Sequence, residues 1–213
     1  MDTPLLIFLH GPGQSPPAWQ EVVGAINPDQ AMVAPWLKGL KPTEHSGFDI
    51  DQAVEAVFDV MEARGATRAD LVGYSLGGLV AARVAIAHPD RIGHLVLIAT
   101  PLIPDRATLN RQRRLVKLTP AGLFRGVDKE HILTALDALA LAGLGIDPAA
   151  IRTPLLAIAS EDDPASRQSA EEFARLANAT TRYLPSTGDL LKTHGPQLAQ
   201  LISDFCADFL DPK

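Results

Sequence analysis

Cysteine is almost absent: Cys206 is the only one among 213 residues. An internal disulfide is therefore excluded, a reducing compartment fits, and a thiol inside a C-terminal helix is expected to be buried and structural. Long apolar runs are missing too. The first, Leu5 to Leu9, is only five residues long and follows no positively charged segment, so neither a secretory leader nor a membrane span is expected and a cytoplasmic location is. There is no Cys/His cluster and no phosphate-cradling loop, so no metal and no organic cofactor are expected. Internal repeats and low-complexity tracts are also lacking. The formal charge of −6 argues against nucleic-acid binding.

What is present reads as one domain spanning 1–213, since a chain of this length that is 46% hydrophobic can bury a continuous core. Leu5 to Leu9 empties into His10-Gly11-Pro12-Gly13, the pattern of a strand buried on both faces and ending in a tight loop. Similar runs lie at Asp70 to Val72, His94 to Ala99 and Pro154 to Ala159, with weaker ones at Ala31 to Ala34 and Thr180 to Leu184. Helical periodicities alternate with them, at Asp51 to Arg64 with Gly65 as terminator, Leu76 to His88, Ser166 to Ala177 and Pro196 to Leu210. Strands alternating with helices of this length imply right-handed crossovers. The expected fold is α/β: an open, mainly parallel sheet with helices on both faces. Residues 102–150 contain helical fragments (Ala107 to Leu118, Glu130 to Ala142) and no strand-like run, so they read as a small helical lid inserted after a core strand.

In an open parallel sheet, reactive groups gather in loops at the carboxyl ends of the strands. One such loop, Gly73-Tyr74-Ser75-Leu76-Gly77-Gly78, matches G-x-S-x-G between an apolar strand and an Ala-rich helix, the context that motif requires. The turn is sharp enough that the neighbours two away must lack side chains. It leaves the Ser75 hydroxyl at a helix N-terminus, where backbone amides and the macrodipole favour developing negative charge.

With His10-Gly11, this GYSLGG run, the loop Ser160 to Pro164 and the C-terminal helix, the sequence resembles small, lidded, esterase-like members of the α/β-hydrolase superfamily over essentially its whole length. The resemblance implies about six parallel strands, because the two antiparallel strands that usually precede the His-Gly strand have no counterpart here. It also implies a Ser, acid, His triad in that chain order. The family's acid position maps onto Asp163, with Asp162 as the neighbour that could substitute; Asp163 lies slightly early to cap a helix starting near Ser166. The histidine position, between Gly188 and Pro196, is held by Asp189. Three readings stay open: a shifted loop brings His194, five residues on, to Ser75, since five extended residues span about 17 Å; Asp189 is itself a weak base, strengthened by burial; or the triad is broken and the protein binds more than it reacts. For the oxyanion hole the resemblance points to the amides of Leu76 and of the residue after His-Gly. That residue is Pro12, which has no N–H, so Gly13 has to substitute. His10, Gly11, Tyr74 and Trp19 are the expected substrate-binding residues, and Trp36 is a further candidate.

Between Arg106 and Lys129 stand seven basic residues (Arg106, Arg111, Arg113, Arg114, Lys117, Arg125, Lys129) and one acid, Asp128. Such a stretch is either a solvated lid surface or an entrance for anionic groups. Its apolar residues, among them Leu115, Leu118, Leu123, Phe124, Ile132, Leu136, Leu139 and Leu141, suit an acyl pocket or the lid's own core. The resulting expectation is a serine hydrolase of a carboxylic ester or thioester, with Ser75 as nucleophile, Asp163 as orienting acid and His194 as base, Asp189 being the alternative base. Its substrate is a small molecule, anionic or carrier-bound, and neither nucleic acid nor a membrane is a partner. The alternative is a non-hydrolytic relative: a small-molecule binder, a partner subunit, or a lyase or cyclase.

Overall fold

Successive side chains of the apolar runs go to opposite faces of one sheet. In the computed structural model, which describes residues 4–44, 47–102, 106–124, 128–142, 146–185 and 188–207, strand β1 (Leu5–Leu9) is buried at every position. Leu5, Ile7 and Leu9 enter one core and Leu6 and Phe8 the other. The same period-two sorting holds in β3 (Ala69–Tyr74) and β5 (Leu155–Ser160), and in β4 (Ile92–Ile98) from Leu95 onward, past a register shift. It follows from the pleat, which points neighbouring residues to opposite sides, and it is why these strands read as continuous apolar runs. The two weak candidates are also strands: β2 (Met32–Val33) and β6 (Ala179–Leu184) form the edges. All pairings are parallel, in the order β2-β1-β3-β4-β5-β6, so the expected six-stranded open sheet is what forms.

Helices α2 (Ile50–Ala63) and α3 (Leu76–Ala87) cover the first face, and α1 (Gln20–Val23) and α8 (Gly195–Ala207) the second. The α2 stripe of Ala53, Val57 and Met61 is buried; the helix begins at Asp49, whose side chain accepts from the Gln52 amide, and Gly65 follows its end at φ 63°. The segment between β4 and β5 contains α4 (Arg106–Leu118) and α5 (Lys129–Ala142). Ile132, Ala135, Leu136 and Leu139 of α5 belong to the first core, so this segment is packed onto the body of the fold. Helix α6 (Pro164–Phe173) starts two residues earlier than the periodicity suggested, because Asp163 caps it and Pro164 opens it. A four-residue helix, α7 (Leu190–Thr193), precedes α8. Among the described residues no helix is long and apolar enough to cross a membrane. His45, Arg125, Phe209 and Leu210 lie outside the described residues.

The sheet's centre and its edge differ in what each side chain contributes. Leu97 in β4 is 1% exposed, whereas Arg182 in β6 is exposed. We expect Leu97→Ala to cost about 3 kcal/mol and Arg182→Ala to change stability by less than about 0.5 kcal/mol, read from urea unfolding midpoints.

Candidate active site

The turn between β3 and α3 is set by contacts that only glycine allows. A Cβ on Gly73 would lie 2.5 Å from the Gly77 carbonyl oxygen, one on Gly77 2.2 Å from the Leu9 oxygen, and one on Gly78 1.9 Å from Thr100 Oγ1. Helix α3 is thus pressed directly onto the ends of β1, β3 and β4. The chain reaches it in a single residue, and that residue is Ser75, at φ 53° and ψ −115°. A non-glycine residue at positive φ is costly. Its amide donates to the Ile98 carbonyl (2.9 Å), and its carbonyl accepts from Gly78 and Leu79. Leu76 is the first residue of α3, where the helix itself has no acceptor for the N–H.

Ser75 opens onto a cavity of about 510 Å³ whose wall also includes Pro12, Gly13, Tyr74, Asp162, Asp163 and Asp189. Of the residues the sequence singled out for catalysis, Ser75, Asp163 and Asp189 are therefore brought together. His194 is not among the lining residues. It ends α7, its ring Nδ1 lies 2.8 Å from the Thr193 hydroxyl, its amide donates to Leu190 and its carbonyl accepts from Leu198. The five-residue shift is taken up by the turn of α7, which carries the chain away from the cavity toward α8. Asp163 does cap α6, accepting from the Ala165 amide (3.2 Å), so the expectation that it lies too early for a cap is corrected. Asp163 nonetheless lines the cavity.

Sequence reasoning missed Gln14. Its Oε1 accepts from the Gly11 amide (2.9 Å) and its Nε2 donates to Asp189 Oδ2 (3.0 Å), while Asp189 Oδ1 accepts from the Leu191 amide (3.0 Å). The amide's orientation is fixed by its partners, because an N–H at one end needs oxygen and a carboxylate at the other needs NH₂. Gln14 thereby ties the loop after β1 to the loop after β6. Ala99, at φ 46° on the end of β4, also lines the cavity. Burial first, then the charges of Asp189 and Asp163, raise the Tyr74 phenol above its ordinary range, while a hydrogen bond from the Leu190 amide opposes them.

The expected substrate-binding residues divide. Tyr74 lines the cavity; Trp19 does not, being buried in the second core against Phe8 (ring centroids 5.0 Å). His10 is also turned inward. Its Nε2 accepts from the Leu37 amide (3.2 Å), its Nδ1 lies 3.0 Å from the Gly11 carbonyl, and Trp36 meets it edge-on. Burial lowers its pKa from 6.5 to about 4. A neutral Nδ1–H tautomer satisfies both contacts. Gly11 stands against the serine: a Cβ there would lie 3.4 Å from Ser75 Cβ. Above Gly13 (φ 73°) sits Ile132 of α5, 3.6 Å from where a Cβ would be. With Leu115, Val116, Phe124 and Leu136 it forms an apolar wall. Leu115 is itself 67% exposed, Leu118, Leu123 and Leu141 are exposed as well, and Leu139 is buried in the core. Arg113 pairs with Asp137, Lys129 caps carbonyls of Lys117 and Thr119, and Arg106, Arg111, Arg114 and Lys117 are exposed.

A family model described as alpha/beta hydrolase fold matches residues 4–139. The chain is 35% identical over 97 residues to a pimeloyl-[acyl-carrier protein] methyl ester esterase of Vibrio atlanticus, covering 46% of this chain and 36% of that protein. Over 115 residues it is 30% identical to the 1-acylglycerol-3-phosphate O-acyltransferase ABHD5 of Sus scrofa, covering 51% of this chain and 33% of that one. The matches thus span about a third of these relatives' length. Among solved structures, an enol-lactonase from Burkholderia xenovorans superposes with a TM-score of 0.79 at 19% identity, over 97% of this chain and 92% of that one. At that identity the likeness is one of fold.

The backbone at Ser75 and the ring of His10 each have a measurable consequence. Replacing Ser75 with glycine removes the positive-φ cost, and Ser75→Gly is expected to stabilise the protein by about 1 kcal/mol, seen as a higher unfolding midpoint. For His10 the folded state holds the neutral ring, so its contribution is whole above pH 6.5. It is lost as the pH falls from there through about 4, because the unfolded chain takes up the proton first. That limb amounts to about 3 kcal/mol, and in His10→Asn the loss of stability over the same pH range should be correspondingly shallower.

Proposed function

The chain belongs to the alpha/beta hydrolase fold family, and on that premise we propose that it hydrolyses a carboxylic ester or thioester through an acyl-enzyme on Ser75. The observation that carries this reading is the strained serine at the head of α3, facing a cavity with an apolar wall. Ser75 Oγ attacks the carbonyl carbon, and the amides of Leu76 and Gly13 receive the oxyanion, Pro12 having none to offer. The hydroxyl proton passes to Asp189, which Gln14 and the Leu191 amide hold in place, and from there to the leaving alcohol or thiol. Water then repeats the sequence in reverse and frees the acid. Asp163, the second carboxylate, lines the same cavity and in this reading accepts a hydrogen bond from the attacking water. A carboxylate takes a hydroxyl proton far less readily than imidazole does, so the reaction is slow for this class of site.

The acyl group fits the wall of Leu115, Val116, Phe124, Ile132 and Leu136. The exposed basic residues of α4 suit an anionic or carrier-borne end of the substrate, in keeping with the carrier-bound ester named for the Vibrio relative. A second reading rests on a separate observation, the carboxylates standing where a base should be: the site binds an acyl ligand without turning it over.

A fluorophosphonate probe and a series of p-nitrophenyl esters separate the two. For the hydrolase, wild type is labelled and turns over slowly, Ser75→Ala abolishes both, His194→Ala leaves both unchanged, and Asp189→His raises turnover about a hundredfold or more. Absence of labelling and turnover, with saturable binding of a fatty acid that displaces no product, selects the binder.

A further inference from the structure

At the opposite end of the sheet from Ser75, three chemically distinct donors meet. Asp70 stands near the start of β3, His94 near the start of β4, and Cys206 in the last turns of α8. About five residues of strand, roughly 16 Å, separate them from the serine. One oxygen of Asp70, one ring nitrogen of His94 and the Cys206 sulfur all lie within 4.8 Å of one another. Asp70 Oδ1 accepts from the His94 amide (2.8 Å) and lies 2.9 Å from His94 Nδ1. The carboxylate fits there because residue 93 is glycine: a Cβ would fall 2.4 Å from Asp70 Oδ1. The ring of His94 is held edge-on by Phe205 (centroids 5.5 Å), the neighbour of Cys206.

We propose that Asp70, His94 and Cys206 form a zinc site with three protein ligands and one open position. The donor set is one sulfur, one imidazole nitrogen and one carboxylate oxygen, the mixture that zinc takes in tetrahedral geometry. With bonds of about 2.0–2.3 Å, neighbouring donors in such a site sit about 3.3–3.8 Å apart, so separations already within 4.8 Å need to change by about 1.5 Å at most. Charge gives a second argument. Asp70 is 3% and His94 5% exposed, and Zn²⁺ with one carboxylate and one thiolate is neutral, the combination least costly to bury. When zinc enters, the S–H proton leaves to solvent and the Zn–S bond forms; His94 binds as neutral imidazole through the ring nitrogen that carries no proton, its single N–H staying on the other nitrogen, and an Asp70 oxygen lone pair completes the set.

The fourth position has somewhere to face. Asp70 and His94 line a groove of about 1140 Å³. Thr153 lines it too, 3% exposed, with a buried hydroxyl that has no hydrogen-bond partner among the described residues. A water or small anion on the metal would suit that hydroxyl. Three arginines (Arg64, Arg68 and Arg152) and, besides Asp70, two aspartates (Asp29 and Asp90) line the same groove.

The test uses the untagged, chelator-treated full chain, titrated with Co²⁺ and then with Zn²⁺. A thiolate-to-cobalt charge-transfer band should saturate at one equivalent and disappear as Zn²⁺ displaces the cobalt. Cys206 is the only cysteine, so such a band has one source. Cys206→Ser should abolish the band and His94→Ala should weaken binding at least tenfold. Zinc at a hundred times its Kd should raise the folding equilibrium constant about a hundredfold. No band in the wild-type chain, or zinc stabilisation that persists undiminished in Cys206→Ser, overturns the proposal and leaves a hydrogen-bonded cluster.

Discussion

The approach of α3 to the strand ends is the constraint from which the site follows. Three glycines let helix backbone touch strand backbone and Thr100 at distances a Cβ would forbid, and the helix is buried nearly all round, from Leu76 to Ala85. Each large side chain buried this way contributes about 1.5–3 kcal/mol, so α3 as a whole far outweighs the roughly 1–3 kcal/mol that one strained residue costs. The strain therefore persists at Ser75, where the chain has no length left to relax it. Packing makes the elbow rigid, and rigidity presents the hydroxyl and the first amides of α3 to the same point in space.

Among the described residues around that point the charges are of one sign. Asp162, Asp163 and Asp189 line the cavity and no described imidazole does, while His10, in the loop after β1, is committed to Leu37 and Gly11 and held neutral by burial. What keeps the carboxylates apart is their attachment to backbone: Asp163 caps α6 and Asp189 caps α7. Gln14 adds a neutral link between Asp189 and the Gly11 amide. That link spans two strand-end loops, so movement of one loop is felt by the other.

Much of this was legible because it is periodic or steric. Continuous apolar runs gave away strands buried on both faces, and the GYSLGG spacing gave away the turn, since both follow from local geometry. The start of α6 was misjudged by two residues because a Pro at the first position hides behind an Asp that caps it. Trp19 and His10 were expected at the cavity and lie in the interior, because which way a loop residue faces depends on what packs under it, here Phe8 and Leu37. Gln14 had no signal at all: its partners lie 3 and 175 residues away. The position of His194 was open in sequence for a related reason, as a four-residue helix that turns a chain aside leaves little trace in composition.

The same steric device operates at both ends of the sheet. At the carboxyl end, glycines at 73, 77 and 78 admit backbone; at the amino end, Gly93 admits the carboxylate of Asp70. In the first case the absent Cβ exposes a hydroxyl at a helix start, and in the second it seats an acid beside an imidazole and a thiol. Parallel strands make this division natural, since every β-to-α loop lies at one end and every α-to-β loop at the other. Polar groups at the amino end must therefore be satisfied by one another or by a ligand. Asp70 answers to His94 through two contacts to the same oxygen, a geometry that fixes the carboxyl group in the interior. The arrangement of that end, unlike the elbow's, is governed by polar contacts more than by packing.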